Sequence, residues 1–437
     1  MGHEGLPDGE SETLYRRTLW RLLLPIALIT FINGIDRLNV SFAGQAMTQD
    51  VGLSPTQFGM GVSTFFAAYL LFQYPHALLL RRFGIRSWLL LSMAVWGVAG
   101  LLMSRVQDQG DFLVARFLLG TAEAGFAPGM TWYISQWTPR ATRARAMAVV
   151  LSAVPLSLVV GGPLCGALLG MANPPGMATW RWMFLVSALP NFLFALLAAG
   201  YFVDRPSQAR WLAGGAGKQL EATIATEASI PTQQTLASAA AWRDGRIWLC
   251  AAVWFLVMTG AYALVYWLPQ IVRPMALADS EWLIGTLSAL PQAGLMAGLY
   301  LNARHSDRSG ERLAHTAGGA LLAGLALALA VCLSANTLIL ALLVVAGFGI
   351  GATQGVFWTL PAALGIGEGQ VPVGVIAAIN MAGTTGGIVG PLLLGRLREV
   401  SGSHQSGILT LAGFLLAGAT LLALWRTRMN RVTTHER

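Results

Sequence analysis

Arg116 and Glu123 stand inside an otherwise apolar run, Phe112 to Trp137, that is long enough to cross a bilayer. An ionisable side chain at that depth costs about 2.5–3.5 kcal/mol on insertion scales, so it is retained for a partner or a pathway. Seven residues make two helical turns, which puts both charges on one face about 10 Å apart along the axis. Each then needs a partner from another helix or from a water-filled cavity. A second pair, Asp36 and Arg37, lies in the apolar run Trp20–Phe42. Arg37 is sixteen residues past Arg21, roughly 24 Å along a helix, a depth similar to that of Arg116. Asp36, Arg37 and Arg116 can therefore meet. Neighbouring residues on a helix diverge by about 100°, so Asp36 and Arg37 point apart. One division gives Asp36 to Arg116 and leaves Arg37 as a planar fork for a carboxylate; the other is a closed ion-pair network.

Glu123 lies among Gly120, Ala122, Ala124 and Gly125. Burial favours a neutral carboxyl and a nearby arginine an ionised one, so its protonation can follow its neighbours. That is the requirement for a proton carrier; the plainer reading is a permanently protonated packing residue. Tyr69, Tyr74, Tyr262, Tyr266 and Trp358 can stack on an aromatic acid or hydrogen-bond a hydroxylated one. Interfacial belts account for Trp20, Trp88, Trp137 and Trp425. Gln73, Gln292 and Gln354 are as readily glue between helices as ligands. His76 and His315 fall near span ends and go with the loops.

Around these residues the chain of 437 is 55% hydrophobic and only 11% charged, with mean hydropathy +0.59. That composition belongs to a multi-pass membrane protein. Apolar runs fall at Trp20–Phe42, Phe58–Leu80, Trp88–Met103, Phe112–Trp137, Met147–Leu169 and Trp182–Val203, and again at Ile247–Ile271, Leu283–Leu301, Ala314–Leu333, Leu338–Leu360, Val373–Leu394 and Ile408–Trp425. A polar stretch, Asp204–Arg246, separates the sets. The expected fold is all-α, with twelve transmembrane helices in two six-helix pseudo-repeats: an N-terminal bundle at 1–203, a linker at 204–246 and a C-terminal bundle at 247–437. With both termini cytoplasmic, 21 of the 28 basic residues fall inside, 5 outside, and Arg37 and Arg116 remain in the membrane. The charge of +8 is thus a topology signal, and nucleic acid is excluded as a partner. The N-terminal seventeen residues read as a polar cytoplasmic tail without a signal-peptide layout. Cys165, Cys250 and Cys332 read as small buried residues; no metal spacing occurs and no cofactor is expected.

The halves repeat. Arg82-Phe83-Gly84-Ile85-Arg86 recurs as Arg308-Ser309-Gly310-Glu311-Arg312 at an offset of 226, Gly162-Pro163 as Gly390-Pro391 at 228, Gly120 as Gly347 at 227 and Trp132 as Trp358 at 226. Repeats of this kind around a midplane site are a transporter design. No GxxxxGK[ST] occurs, and no nucleophile–base or metal cluster marks the spans as an enzyme.

The motifs resemble the major facilitator superfamily, and within it the anion:cation symporter group. They are Asp36-Arg37-Leu38-Asn39 in span one, Tyr69-Leu70-Leu71-Phe72-Gln73 in span two, and Arg116-Phe117-Leu118-Leu119-Gly120 with Glu123-Ala124-Gly125 in span four. Tyr266-Trp267-Leu268-Pro269-Gln270, Arg304-His305-Ser306-Asp307-Arg308, Phe357-Trp358-Thr359-Leu360-Pro361 and Ile379-Asn380 complete the set. The His-Ser-Asp-Arg variant is similar to bacterial carriers of tartrate, phthalate or hydroxyphenylacetate. Three positions depart from the pattern: Arg81 replaces an acid, Ser152-Ala153-Val154-Pro155 replaces a glutamine site, and Thr384 replaces an asparagine. The resemblance implies a monomeric importer of an organic carboxylate by proton symport in a bacterial inner membrane; a non-transporting sensor and an exporter or exchanger are the alternatives. It assigns substrate binding to Arg37, Tyr69, Tyr266, Trp358 and Asn380. Proton coupling goes to Glu123, Asp36 and Arg116. Gating goes to Arg82, Arg86, Asp307, Arg308 and Arg312.

Overall fold

Apolar side chains surround most of these segments, so in lipid every backbone N–H and C=O must be satisfied within the segment, and helix is the only open-ended solution. The computed structural model describes residues 16–212, 215–229, 241–275, 280–369 and 371–435; the expected tail before residue 16 and Arg437 lie outside them. The described residues are helical and contain no strand. The helices are α1 (Leu24–Val51), α2 (Pro55–Met103), α3 (Gln109–Glu123), α4 (Phe126–Ser135), α5 (Arg140–Leu151), α6 (Ala153–Gly170), α7 (Thr179–Tyr201), α8 (Ala216–Ser229), α9 (Gly245–Val272), α10 (Glu281–Ser309), α11 (Arg312–Val331), α12 (Asn336–Phe357), α13 (Leu360–Ala363), α14 (Val373–Ser401) and α15 (Gln405–His435). Ten stretches among the described residues are long and apolar enough to cross a membrane.

Four features depart from the sequence reading. The run Phe112–Trp137 is not one helix: it breaks after Glu123 into α3 and α4. Gly125 stands at the break, where a side chain would strike the ring of His76. The stretch 204–246 is not a bare linker, because α8 docks on α5. Glu227 accepts from the Arg140 backbone N–H at 2.9 Å and lies 3.7 Å from Arg143, and Trp211 stacks on Trp137 at 5.7 Å. Trp137 and Trp88 are therefore core residues, 1% and 3% exposed, while Trp20 at 66% has the exposure of a belt residue. Cys332 is exposed at the end of α11, whereas Cys165 and Cys250 are buried.

The sequence repeat is also a repeat of contacts. Gly120 of α3 packs on the Phe65 carbonyl of α2, and Gly347 of α12 packs on the Pro291 carbonyl of α10; Phe65 and Pro291 are themselves 226 apart. A missing side chain lets each backbone pair close up.

At one end of the molecule the segments before and after the polar stretch are sealed together. Gly162 of α6 abuts the Gly285 backbone of α10, and Gly59 of α2 abuts Pro391 of α14. Ser63 Oγ donates to the Ile388 carbonyl at 2.5 Å. The Glu399 carboxylate of α14 accepts from Ser54 Oγ at 2.9 Å and from the Thr56 N–H at 3.1 Å, capping the start of α2, where a negative charge also suits the helix dipole. Burial, with Arg398 close by, pushes the His404 imidazole down to about 4, so at neutral pH an uncharged ring packs 5.9 Å from Trp267.

At the opposite, arginine-rich end each turn is bonded within its own half. Ile85 N donates to Asp204 at 2.6 Å, Arg86 reaches the Ala199 carbonyl at 3.0 Å, and Arg312 pairs with Asp307 at 2.6 Å. Among the described residues no hydrogen bond or ion pair joins the Arg82–Arg86 turn to the Asp307–Arg312 turn. The acid absent at Arg81 is supplied in space by Asp204, which holds the positive-φ turn at Gly84 (φ 74°). The molecule is closed at the Glu399 end and unlatched at the basic end. Glu399→Gln keeps a hydrogen-bond acceptor but removes the charge at the α2 N-terminus. In a protein freed of its three cysteines, a probe cysteine at Ser63 is then expected to react severalfold faster with a thiol reagent applied from the sealed side. An unchanged rate would show that packing alone holds the seal.

Candidate functional site

Arg37 and Asn33 are one turn apart on α1, so their side chains project together. Both reach Glu123 at the end of α3: Arg37 Nε donates to Oε2 at 2.7 Å and Asn33 Nδ2 to the same oxygen at 2.9 Å. Glu123 is fully buried, and its Oε1 has no partner. Its position at the α3–α4 break puts this charge where the chain is already discontinuous, a common arrangement at transporter sites. Arg37 also lies over the rings of Tyr69, at 4.9 Å, and Phe65, at 5.5 Å, a favourable placement for a cation.

Arg116 is buried away from solvent. It stands 4.6 Å from the Phe65 ring centroid and donates to the Gly61 carbonyl at 3.3 Å. Asp36 faces the other way, toward α7. It accepts from Asn191 Nδ2 at 2.8 Å and Asn39 Nδ2 at 3.2 Å, and Asn39 in turn reaches Ser187. The division that pairs Asp36 with Arg116 is thus overturned. The 100° step from Asp36 to Arg37 turns the short carboxyl onto two asparagines, while the longer arginine reaches Glu123. Glu123 is bonded to Arg37 rather than to Arg116, its neighbour two turns away on the same helix.

A cavity of about 290 Å³ lies beside this pair, between α1, α2, α4–α6 and α9, α10, α12. Arg37, Asn33, Tyr69, Tyr262, Tyr266 and Gln354 line it, with apolar walls from Met130, Ile134, Met147, Val150, Leu158 and Met258. Ile134, Met147 and Leu151 carry the lining toward the basic end, opposite the seal. Of the expected substrate residues, Arg37, Tyr69 and Tyr266 reach this cavity, and Trp358 and Asn380 do not. Trp358 caps α12 and leans on Trp254 at 5.1 Å. Asn380 is exposed on α14, one step around the helix from the buried Ile379. Tyr74 is 72% exposed and lines nothing. Asn33 was not singled out in the sequence, although its place four residues before an intramembrane arginine is a signal for it.

A broken intramembrane helix, a buried ion pair and a cavity closed at one end only are features of a membrane transporter rather than an enzyme. The Major Facilitator Superfamily model matches residues 26–391, and the chain belongs to that family. Its relatives include a "Putative tartrate transporter" of Agrobacterium vitis, 37% identical over 98% of this chain and 94% of the relative. "Inner membrane transport protein RhmT" of Escherichia coli is 33% identical over 94% of each chain. A "Quinolone resistance transporter" of Acinetobacter baumannii is 32% identical over 98% of each. Among solved structures, a bacterial homolog of the human lysosomal transporter Spinster, inward-facing and occupied, superposes with TM-score 0.75 at 17% identity, covering 92% of this chain and 96% of that one. A D-xylose–proton symporter gives 0.71 at 14% identity, covering 92% and 97%.

Proposed function

We propose that this chain imports an organic carboxylate by proton symport through alternating access, with Arg37 as the carboxylate fork and Glu123 as the proton carrier. The observation that carries the reading is the Arg37–Glu123 pair at the edge of a cavity closed at one end only. Arg37 uses Nε for Glu123, and its side chain is 28% exposed, so its outer nitrogens remain for an incoming anion. An anion there competes with Glu123 for the guanidinium, and the carboxyl that loses its counter-charge takes up a proton. Binding and protonation then favour each other reciprocally. The names of the tartrate-transporter relatives support an organic acid as the cargo.

The same reading places 1–203 and 247–437 as two six-helix bundles joined by 204–246, in a monomer in a bacterial inner membrane with both termini cytoplasmic. Twelve spans follow if α2, which is 49 residues long and broken at Gly84, crosses twice and α3 with α4 crosses once. The basic end, with its Arg82, Arg86, Asp307, Arg308 and Arg312 turns, then faces the cytoplasm and closes when the bundles rock. Reconstituted into vesicles, the protein is expected to accumulate a labelled carboxylate under an imposed pH gradient, acid outside, and to release it when a protonophore is added. Binding without movement would point to a sensor, and accumulation insensitive to ΔpH would end the proton-symport reading.

A further inference from the structure

Resting on that functional reading, the wall chemistry of the cavity narrows its cargo. Arg37 is the only arginine, lysine or histidine among the described lining residues. The second intramembrane cation, Arg116, is 1% exposed and does not line the cavity. The small hydroxyls of the wall are also committed: Thr30 donates to the Ile26 carbonyl at 2.8 Å, Thr131 to Ala127 at 2.9 Å and Ser157 to Val154 at 2.6 Å. Asn33 is bonded to Glu123. The Gln354 amide donates only to the Met258 sulfur, at 3.6 Å, a weak acceptor. The remaining wall is mostly aliphatic and thioether, with Tyr69, Tyr262 and Tyr266 adding aromatic rings and phenol hydroxyls.

We infer that the cargo is a monocarboxylate with an apolar body of about one ring, and not a small hydroxylated dicarboxylate such as tartrate. A single cation matches a single carboxylate. A second carboxylate would lie against apolar wall with no counter-charge, and its lost hydration would go unreplaced. A hydroxylated body would find the Thr30, Thr131 and Ser157 hydroxyls as acceptors only, since each already donates to its own helix. A cavity of about 290 Å³, at the small end of ligand pockets, accommodates one ring.

Binding of matched acids to the purified full-length protein tests this by thermal shift and calorimetry. Benzoate is expected to bind at least tenfold more tightly than phthalate, which differs by the second carboxylate, and at least tenfold more tightly than acetate, which lacks the ring. Tartrate should fall below benzoate by a similar factor. Tartrate or phthalate binding as tightly as benzoate, with both weakened in Arg37→Lys, would overturn the cargo class and leave the carboxylate reading standing. Benzamide binding as tightly as benzoate, or no acid of the series binding, would overturn the carboxylate reading and this inference with it. Gln354→Arg, which adds a second cation to the wall, should raise the phthalate-to-benzoate affinity ratio at least tenfold. An unchanged ratio in a variant that still binds benzoate would show that cation count does not set the choice.

Discussion

Replacing Arg37 by lysine is expected to weaken carboxylate binding by an order of magnitude or more, and replacing it by alanine to abolish binding. In the proposed cycle the guanidinium serves two anions: its Nε is bonded to Glu123 at 2.7 Å, and as a cavity-lining residue it keeps its outer nitrogens for the acid. Lysine carries the same charge on one nitrogen with no planar fork, so it can satisfy Glu123 or a substrate but cannot hold both in a fixed geometry. Alanine does more damage, because it strands the Glu123 carboxylate among buried groups. Removing one partner of a buried pair typically costs about 3–5 kcal/mol. Lost binding in Arg37→Ala alone therefore does not separate a site residue from a structural one. The double variant Arg37→Ala/Glu123→Gln removes the stranded charge and should recover thermal stability while still failing to bind. If the double variant binds the acid as wild type does, Arg37 belongs to a closed structural pair and not to the site.

That Asp36, Arg37, Arg116 and Glu123 each need a partner inside the membrane was legible in the sequence, because intramembrane charge is expensive; the expected meeting was of Asp36, Arg37 and Arg116, and the contact made is Arg37 with Glu123. Which partner each takes was not legible. Asp36 and Arg37 differ by one residue, and the helix phase that sends Asp36 to Asn191 and Arg37 to Glu123 depends on how α1 is rotated against α3 and α7. Side-chain reach decides the rest: the longer arginine crosses to Glu123 of α3, while the short aspartate is met by Asn191 of α7 and Asn39 of its own helix. Trp358 and Asn380 came from resemblance, and both lie off the cavity, since the motif fixes residue type but not the rotation of α12 and α14.

The repeat and the apolar runs gave the order of the helices, since hydropathy reports directly on burial in lipid. Hydropathy is blind to breaks within an apolar run, so the interruption at Ala124–Gly125 was invisible, although Gly125 and Pro128 were there to be read. The docking of α8 was missed because its apolar stripe is short: Leu220 and Ile224, one turn apart, are buried, but two such residues in a polar stretch make a weak periodic signal. Glu399 was missed because a surface glutamate looks like solvent-facing charge until the fold brings the start of α2 beside it.

Replacing Glu123 by glutamine is expected to separate exchange from accumulation. Glutamine mimics the protonated carboxyl: its oxygen can still accept from Asn33 and Arg37, so the packing around the α3–α4 break is preserved. It cannot release a proton. In the wild type, an arriving anion draws the Arg37 guanidinium away from Glu123, which favours the neutral carboxyl, and departure of the anion restores the pair and expels the proton. In Glu123→Gln the guanidinium is permanently free of a counter-charge, so the acid should bind at least as tightly as in wild type. Equal or faster exchange of labelled for unlabelled acid is expected, because exchange needs only the loaded carrier to alternate. Uphill accumulation driven by ΔpH alone should fall to background, since nothing at this position couples the gradient to the substrate. Asp36 provides the internal control: it faces Asn191 and Asn39 with no cation in contact, so Asp36→Asn should leave ΔpH-driven accumulation measurable if Glu123 alone carries the coupling proton. If Glu123→Gln vesicles still concentrate the acid under ΔpH and Asp36→Asn vesicles do not, the proton travels through the α1–α7 side of the molecule and the Arg37–Glu123 pair serves binding only.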